Sequence, residues 1–254
     1  VRLASGERIQ ARLVAGADGM RSRLRAATTA QAHCVPRYSG QTCWRFAAAA
    51  SAPIEATVER WSPGRRVGVV PLSRDRVYAY LVEEAPQGTP AQGGTSMADL
   101  RARFSGVHAG LDPHLRGAPD DTPVHHGDLL DLPHIAWGAD GVVLMGDAAH
   151  AMTPNMGQGA AMAIEDAASI SLAVRRSGLD PGALRAHLRE RRTARVRKVH
   201  DMSWRIGQLA HWRNPAACFL RDVGMRLTPD AVTKRQMRAV WGPGVALAEA
   251  LSAA

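Results

Sequence analysis

Three cysteines stand in the 254 residues, Cys34, Cys43 and Cys218, and no two of them have CxxC spacing. That argues against a disulfide or zinc framework, and the thiols read as reduced ones of a cytoplasmic protein. No apolar run approaches the ~18 residues that span a bilayer, and no secretory signal is read at the start, so no membrane span is expected. HExxH and a serine elbow are both missing, which argues against a metalloprotease or serine hydrolase. His125 and His126 are neighbours in a strand-like run and would point to opposite faces, so they do not read as a metal pair, and no metal is expected. Lysine is nearly absent, at Lys198 and Lys234 only, so the net charge of +9 is almost entirely arginine.

A basic chain suggests nucleic acid or an acidic surface. The densest stretch, "RERRTARVRKVH" (189–200), argues against the first. Leu184, Leu188, Val196, Val199, Met202, Ile206 and Leu209 make roughly a helical stripe, and no stacking aromatics are interleaved with the arginines. The segment therefore reads as a helix with a solvated basic face, and no nucleic-acid partner is expected. Apolar residues at 46% and charged residues at 22% are ordinary for a globular protein, and the length suffices for one large domain or two small ones.

The chain has no internal repeat and divides into four stretches. Residues 1–35 hold two apolar-alternating runs around a Ser-Gly turn, read as a β-hairpin, and then a glycine-flanked aspartate. Residues 36–134 hold short strand-like runs such as "GQTCWRFAAAA", "RRVGVVPLS" and "RVYAYLVEE", with "APQGTPAQGGTS" as a loop. Residues 135–180 contain "GVVLMGDAAHAMTPNMGQGAAMAIEDA" (141–167). Residues 181–254 are mostly helical, Asp180 capping a helix that starts at Pro181.

The 141–167 segment starts as a strand buried on both faces, Val142 to Met145, and turns at Gly146. Asp147 follows at the strand's carboxyl end, where ligands sit in open α/β sheets. A carboxylate only accepts hydrogen bonds, which suits the hydroxyls of a polyol or ribose. Gly157 and Gly159 then remove side chains at the start of a helix, whose free N–H groups can meet an anionic or electron-rich ligand. "GQGAAM" is not a dinucleotide fingerprint, because its third glycine is missing and ten residues separate it from the strand.

This segment resembles the second flavin-binding motif of the class A FAD-dependent aromatic monooxygenases, the family of para-hydroxybenzoate and salicylate hydroxylases. "LVAGADGMRSRLR" (13–25) resembles that family's DG motif. "YSGQTCWRF" and "GQLAHWRNP" look like its urate-hydroxylase and zeaxanthin-epoxidase branch. The resemblance implies an α/β (α+β) fold: a partial Rossmann-like FAD-binding domain, an inserted, mostly antiparallel substrate-binding sheet, and a C-terminal helical region. It implies FAD as cofactor and NADH or NADPH as co-substrate. It further implies that Gly146 and Asp147 meet the ribityl chain, that Gly157, Gln158 and Gly159 face the flavin's pyrimidine end, and that Pro154 borders flavin and substrate. Asp18 and Gly19 would lie near the pyrophosphate, with Arg25 supporting that turn. Ala151 departs from the family, which usually has proline there.

The family's opening βαβ unit with GxGxxG is not in this sequence, so the chain reads as the carboxyl-terminal portion of a longer monooxygenase, inactive by itself. The intact enzyme would oxygenate a small aromatic or unsaturated substrate through a flavin hydroperoxide, and the family leaves room for a homodimer. Arg45 and Tyr78, with Pro154, are the catalytic-side candidates; Trp44, Trp61 and Tyr80 are further candidates for the substrate wall. Two alternatives remain at this stage: a non-catalytic small-molecule-binding remnant that cannot hold FAD, and a basic nucleic-acid binder.

Overall fold

A computed structural model describes residues 2–89 and 95–252. The middle of the "APQGTPAQGGTS" loop lies outside the described residues. In chain order the elements begin with β1 (Val14–Gly16), α1 (Arg23–Thr28), β2 (Arg37–Ala49), β3 (Val58–Ser62), β4 (Arg65–Pro71) and β5 (Arg76–Glu84). Next come α2 (Met97–Phe104), α3 (Asp112–Gly117), β6 (His125–Asp131), β7 (Val142–Leu144) and α4 (Asp147–His150). The last helices are α5 (Gly159–Ser177), α6 (Pro181–Arg191), α7 (Thr193–Ala210), α8 (Pro215–Leu227) and α9 (Asp230–Ser252). This is the mixed α/β fold read from the sequence. The chain forms two units: Val1–Arg37 with Leu130–Arg205 and Thr228–Ala254, and Tyr38–Leu129 with Ile206–Leu227.

In the first unit β1 and β7 pair in parallel, Val14 opposite Val142 and Gly16 opposite Leu144. Gly16 lets the strands approach closely, since a Cβ there would meet Leu144 Cδ2 at 2.7 Å and that side chain would have to shift. Val143, Leu144, Ala148, Ala149 and Met162 pack with Leu184, Leu188, Val196 and Val199 into one buried cluster. The hairpin expected before β1 is reduced to a single bridge, Arg2 to Arg8, around the Gly6 turn. Leu3 and Ile9 remain exposed there, so the first run gains little by lengthening the ladder. The second run continues into β1 and finds its partner in β7. At α6 Pro181 occupies the first turn and Asp180 accepts from Gly182 N–H, the cap the sequence predicts.

The second unit is built on the sheet β3-β4-β5-β2-β6. Neighbouring pairs among β3, β4, β5 and β2 are antiparallel. Strand alternation divides its side chains between two faces. One face carries Trp44, Phe46, Val67, Val69, Val77, Ala79 and Leu81, which pack on Met97, Leu100 and Phe104 of α2 and on Leu111 and Leu115. Trp44 is therefore core, 2% exposed, and not substrate wall, which corrects the expectation for it. Its ring is edge-on to Phe104 and stacked on His126 at 4.3 Å. The physical reason is phase: a one-residue step along a strand moves a side chain to the opposite face.

On the opposite face Arg45, Tyr80, Gly68 and Glu59 form one cross-strand row. The Tyr80 ring lies across Gly68, where a Cβ would come within 2.1 Å of it. Gly68→Ala is accordingly expected to displace the ring and to lower stability by about 1–3 kcal/mol, read by chemical denaturation. An unchanged midpoint would show that the ring moves freely.

Candidate functional site

The strand-to-helix turn of the first unit is built as follows. β7 ends at Leu144, and Gly146 turns the chain at φ 57° and ψ −141°, a left-handed region that favours glycine. α4 follows as a single turn, starting with Asp147. A 3-10 turn at Pro154–Met156 leads to Gly157, at φ 62°, and α5 begins at Gly159 after Gln158. No side chain caps the start of α5, so its first N–H groups keep their donors open. The Asp147 carboxylate stands at this helix start: its Oδ1 lies 3.9 Å from the position of a Cβ on Gly159. Asp147, Pro154 and Gly157 are exposed, and a Cβ on Gly157 would meet nothing within 4 Å. Asp147, Gly157, Gln158 and Gly159 thus share one open edge, with an acceptor and a row of donors side by side.

The DG segment is joined to this turn. Asp18 Oδ2 accepts from Arg23 N–H at 2.9 Å and Leu24 N–H at 3.3 Å, at the start of α1. Burial works against its charge, but the bonds from Ser22, Leu24 and Arg23 hold its carboxyl below the usual range. Gly19 turns at φ 80°. Arg25, from α1, is 1% exposed and donates to four backbone carbonyls: His33 and His134, and Ala148 and Ala149 of α4. One guanidinium thereby fastens the DG segment to the helix that carries Asp147.

Behind the turn lies a buried charge cluster that sequence reading missed. Asp166 of α5 is 0% exposed. Its Oδ2 accepts from Gly146 N–H at 3.0 Å and faces His150 Nε2 at 2.6 Å; its Oδ1 accepts from Arg192 Nε at 2.9 Å. Burial opposes this charge, yet His150, the Gly146 N–H and Arg192 hold the carboxyl below the usual range. Arg192 also binds Glu165, and Arg195 binds Glu165 Oε1 at 2.9 Å. The basic helix face is thus only partly solvated, since Arg192 is 4% exposed. The signal for it was present: Leu184, Leu188, Arg192 and Val196 follow a spacing of four, which puts Arg192 on the apolar stripe.

A second ion pair in the same unit joins the buried Asp131 to the exposed Arg37, whose Nε and Nη2 donate at 3.1 and 2.7 Å. His200 Nε2 stands 3.1 Å from Asp131 Oδ2. Burial pushes the His200 imidazole down, but the bond and charge of Asp131, then of Asp201, raise it above its ordinary value. A raised folded-state value stabilises fully below the unfolded value and is lost as pH rises through the folded one. The cost of His200→Gln in unfolding free energy should therefore be larger at pH 5.5 than at pH 8.5. A penalty equal at both values would contradict the pairing.

In the second unit Arg45 reaches the Tyr78 phenol, and the Tyr78 and Tyr80 rings are 6.1 Å apart. Burial raises the Tyr78 phenol above its ordinary value despite Arg45. Burial, then Glu59, raise that of Tyr80. Both stay protonated donors at neutral pH. Trp61 is at the β3 edge of this face, donating to Glu59 at 2.9 Å with the Arg221 guanidinium 5.5 Å from its ring centroid.

One unit thus carries a glycine-flanked acceptor turn beside an open helix start, and the other an antiparallel sheet. The FAD binding domain family matches residues 2–203, and the chain belongs to it, among the class A FAD-dependent aromatic monooxygenases. FAD is the cofactor of that family. The chain is 37% identical over 248 residues to the aurachin C monooxygenase/isomerase of Stigmatella aurantiaca, covering 94% of this chain and 63% of that protein. It is 37% identical over 246 residues to the 2-heptyl-3-hydroxy-4(1H)-quinolone synthase of Pseudomonas aeruginosa, covering 92% and 61%. The fold is similar to that of Klebsiella pneumoniae HpxO complexed with FAD and uric acid, with a TM-score of 0.79 and 23% identity over 96% of this chain and 62% of that one. The chain spans about three-fifths of the length of the curated relatives it matches. Among the described residues no helix is long and apolar enough to cross a membrane.

Proposed function

We propose that this chain supplies the ribityl and isoalloxazine side of the FAD site of a monooxygenase that hydroxylates or epoxidises a small aromatic substrate with NADH or NADPH and dioxygen. The observation that carries the reading is the juxtaposition of an unengaged Asp147 carboxylate with the uncapped start of α5. The donor set fits the cofactor. An acceptor-only group suits ribityl hydroxyls, and open N–H groups at the positive end of a 19-residue helix suit the electron-rich pyrimidine edge. Gly157 and Gly159 keep side chains out of that approach, and Pro154 borders it.

When bound, FAD would supply the redox chemistry, in which the nicotinamide is the reductant and dioxygen gives one oxygen atom to the substrate and the other to water. The protein's share is to hold and orient. Asp147 fixes the ribityl chain, and the helix dipole favours negative charge at the pyrimidine edge. On the sheet, Arg45 pairs with an anionic or oxo group of the substrate, and Tyr78 donates its phenolic proton to a second acceptor. The names of the relatives, which speak of a heptyl-hydroxyquinolone, 6-hydroxynicotinate and urate, favour an oxygen-bearing nitrogen heteroaromatic as the substrate class.

The test is to load the monooxygenase that contains this chain with FAD, follow NADH and NADPH oxidation over a panel of hydroxylated pyridines and quinolones, and trace 18O2 into product. Labelled product is expected; nicotinamide oxidation that no aromatic stimulates, with no label incorporated, would refute the reading. Arg45→Gln should raise KM about tenfold or more, the worth of a hydrogen bond to a charged group. An unchanged KM would remove Arg45 from the site.

A further inference from the structure

We infer that the buried carboxylate of Asp166 is the positioning group of the flavin site: it fixes both ends of the one-turn helix that presents Asp147. The inference rests on the reading of Asp147 as the ribityl acceptor and extends it to a residue with no surface of its own. The geometry is specific. Asp147 is the first residue of α4 and His150 the last. Asp166 Oδ2 takes the Gly146 N–H just before the helix and His150 Nε2 at its end, at 3.0 and 2.6 Å. The same oxygen thus brackets Asp147, the five residues from Gly146 to His150 closed onto one acceptor.

The bracket is rigid from behind. Arg192 Nε holds the other carboxylate oxygen at 2.9 Å. α5 presses on the turn itself, since a Cβ on Gly146 would stand 2.9 Å from Ala163 Cβ, one helical turn before Asp166. Gly146 has a positive φ and the backbone freedom of glycine. Without the anchor on its N–H, the turn has other conformations open to it, and the Asp147 carboxylate moves with it. Glu165 is the natural comparison. It is the neighbouring residue, 6% exposed and paired to the same Arg192, yet it has no bond to Gly146 or His150 among the described residues.

The experiment compares Asp166→Asn, Glu165→Gln and Asp147→Asn. Amide hydrogen exchange of residues 145–151 is measured in the flavin-free protein, and FAD affinity by fluorescence titration. Asp166→Asn is expected to speed exchange in this segment at least tenfold beyond any global change and to weaken FAD binding at least tenfold. Glu165→Gln is expected to lower the melting temperature without either local effect. If Asp166→Asn leaves both readouts unchanged, or Glu165→Gln reproduces them, the positioning role is wrong. If Asp147→Asn keeps full FAD affinity, the reading of the site itself fails, whatever exchange shows. Should Asp166→Asn not fold, His150→Phe removes one end of the bracket and keeps a ring against Trp137, whose ring lies edge-on to His150 at 5.5 Å; faster exchange at 148–151 supports the role, and unchanged exchange overturns it.

Discussion

Asp147→Ala should weaken FAD binding by about 1–3 kcal/mol, a factor of roughly 5–150, while leaving the melting temperature nearly unchanged. The split follows from what Asp147 does and does not touch. Its carboxylate is exposed and has no hydrogen-bond partner of its own among the described residues, so the fold loses almost nothing when it is removed. Surface changes of that kind stay within about 0.5 kcal/mol. The cofactor loses an acceptor in a site that its own binding closes to water, where an unpaired hydroxyl is costly. Fluorescence titration with FAD and a thermal melt, done on the same preparation, measure the two halves. Equal affinity in variant and parent would remove Asp147 from the site. A large melting shift would mean that it serves the fold instead.

Arg192→Met is expected to have the opposite profile, a large loss of stability. Arg192 is buried between Asp166 and Glu165, and its removal leaves two carboxylates short of their counter-charge. Breaking a buried pair from one side costs about 3–5 kcal/mol, which for a chain of this size is a fall of roughly 6–20 °C in melting temperature. Arg189→Met and Arg197→Met, on the exposed side of the same basic stretch, should stay within about 0.5 kcal/mol. Calorimetry on the three variants measures the contrast. Equal, small effects would mean that the cluster contributes little to stability.

Much of the first unit could be read from residue order because its determinants are local. The run Val142 to Met145 is apolar at successive positions, Gly146 is the residue able to turn there, and Asp180-Pro181 marks a helix start; each signal lies within a few residues of its effect. What could not be read depends on partners far along the chain. Nothing near Asp166 announces that its carboxylate meets Gly146, 20 residues back, and Arg192, 26 residues on. Trp44 and Arg45 show a different limit. The alternation of "TCWRF" was visible, but which phase faces α2 is decided by packing, and Trp44 went to the core. Arg192 was misread although its spacing was informative, because an arginine on an apolar stripe is ordinarily solvent-facing unless a carboxylate waits for it. The weak ladder before β1 is the same kind of case, since the better partner of the second run is a strand more than a hundred residues away.

Where the flavin lies decides the role of Asp147, and a crystal structure of the protein bound to FAD measures that directly. A ribityl hydroxyl is expected within hydrogen-bond distance of the Asp147 carboxylate, with the pyrimidine edge of the isoalloxazine against the N–H groups that start α5 at Gly159. Flavin bound with Asp147 turned to solvent, or with another part of the cofactor at the start of α5, would contradict it.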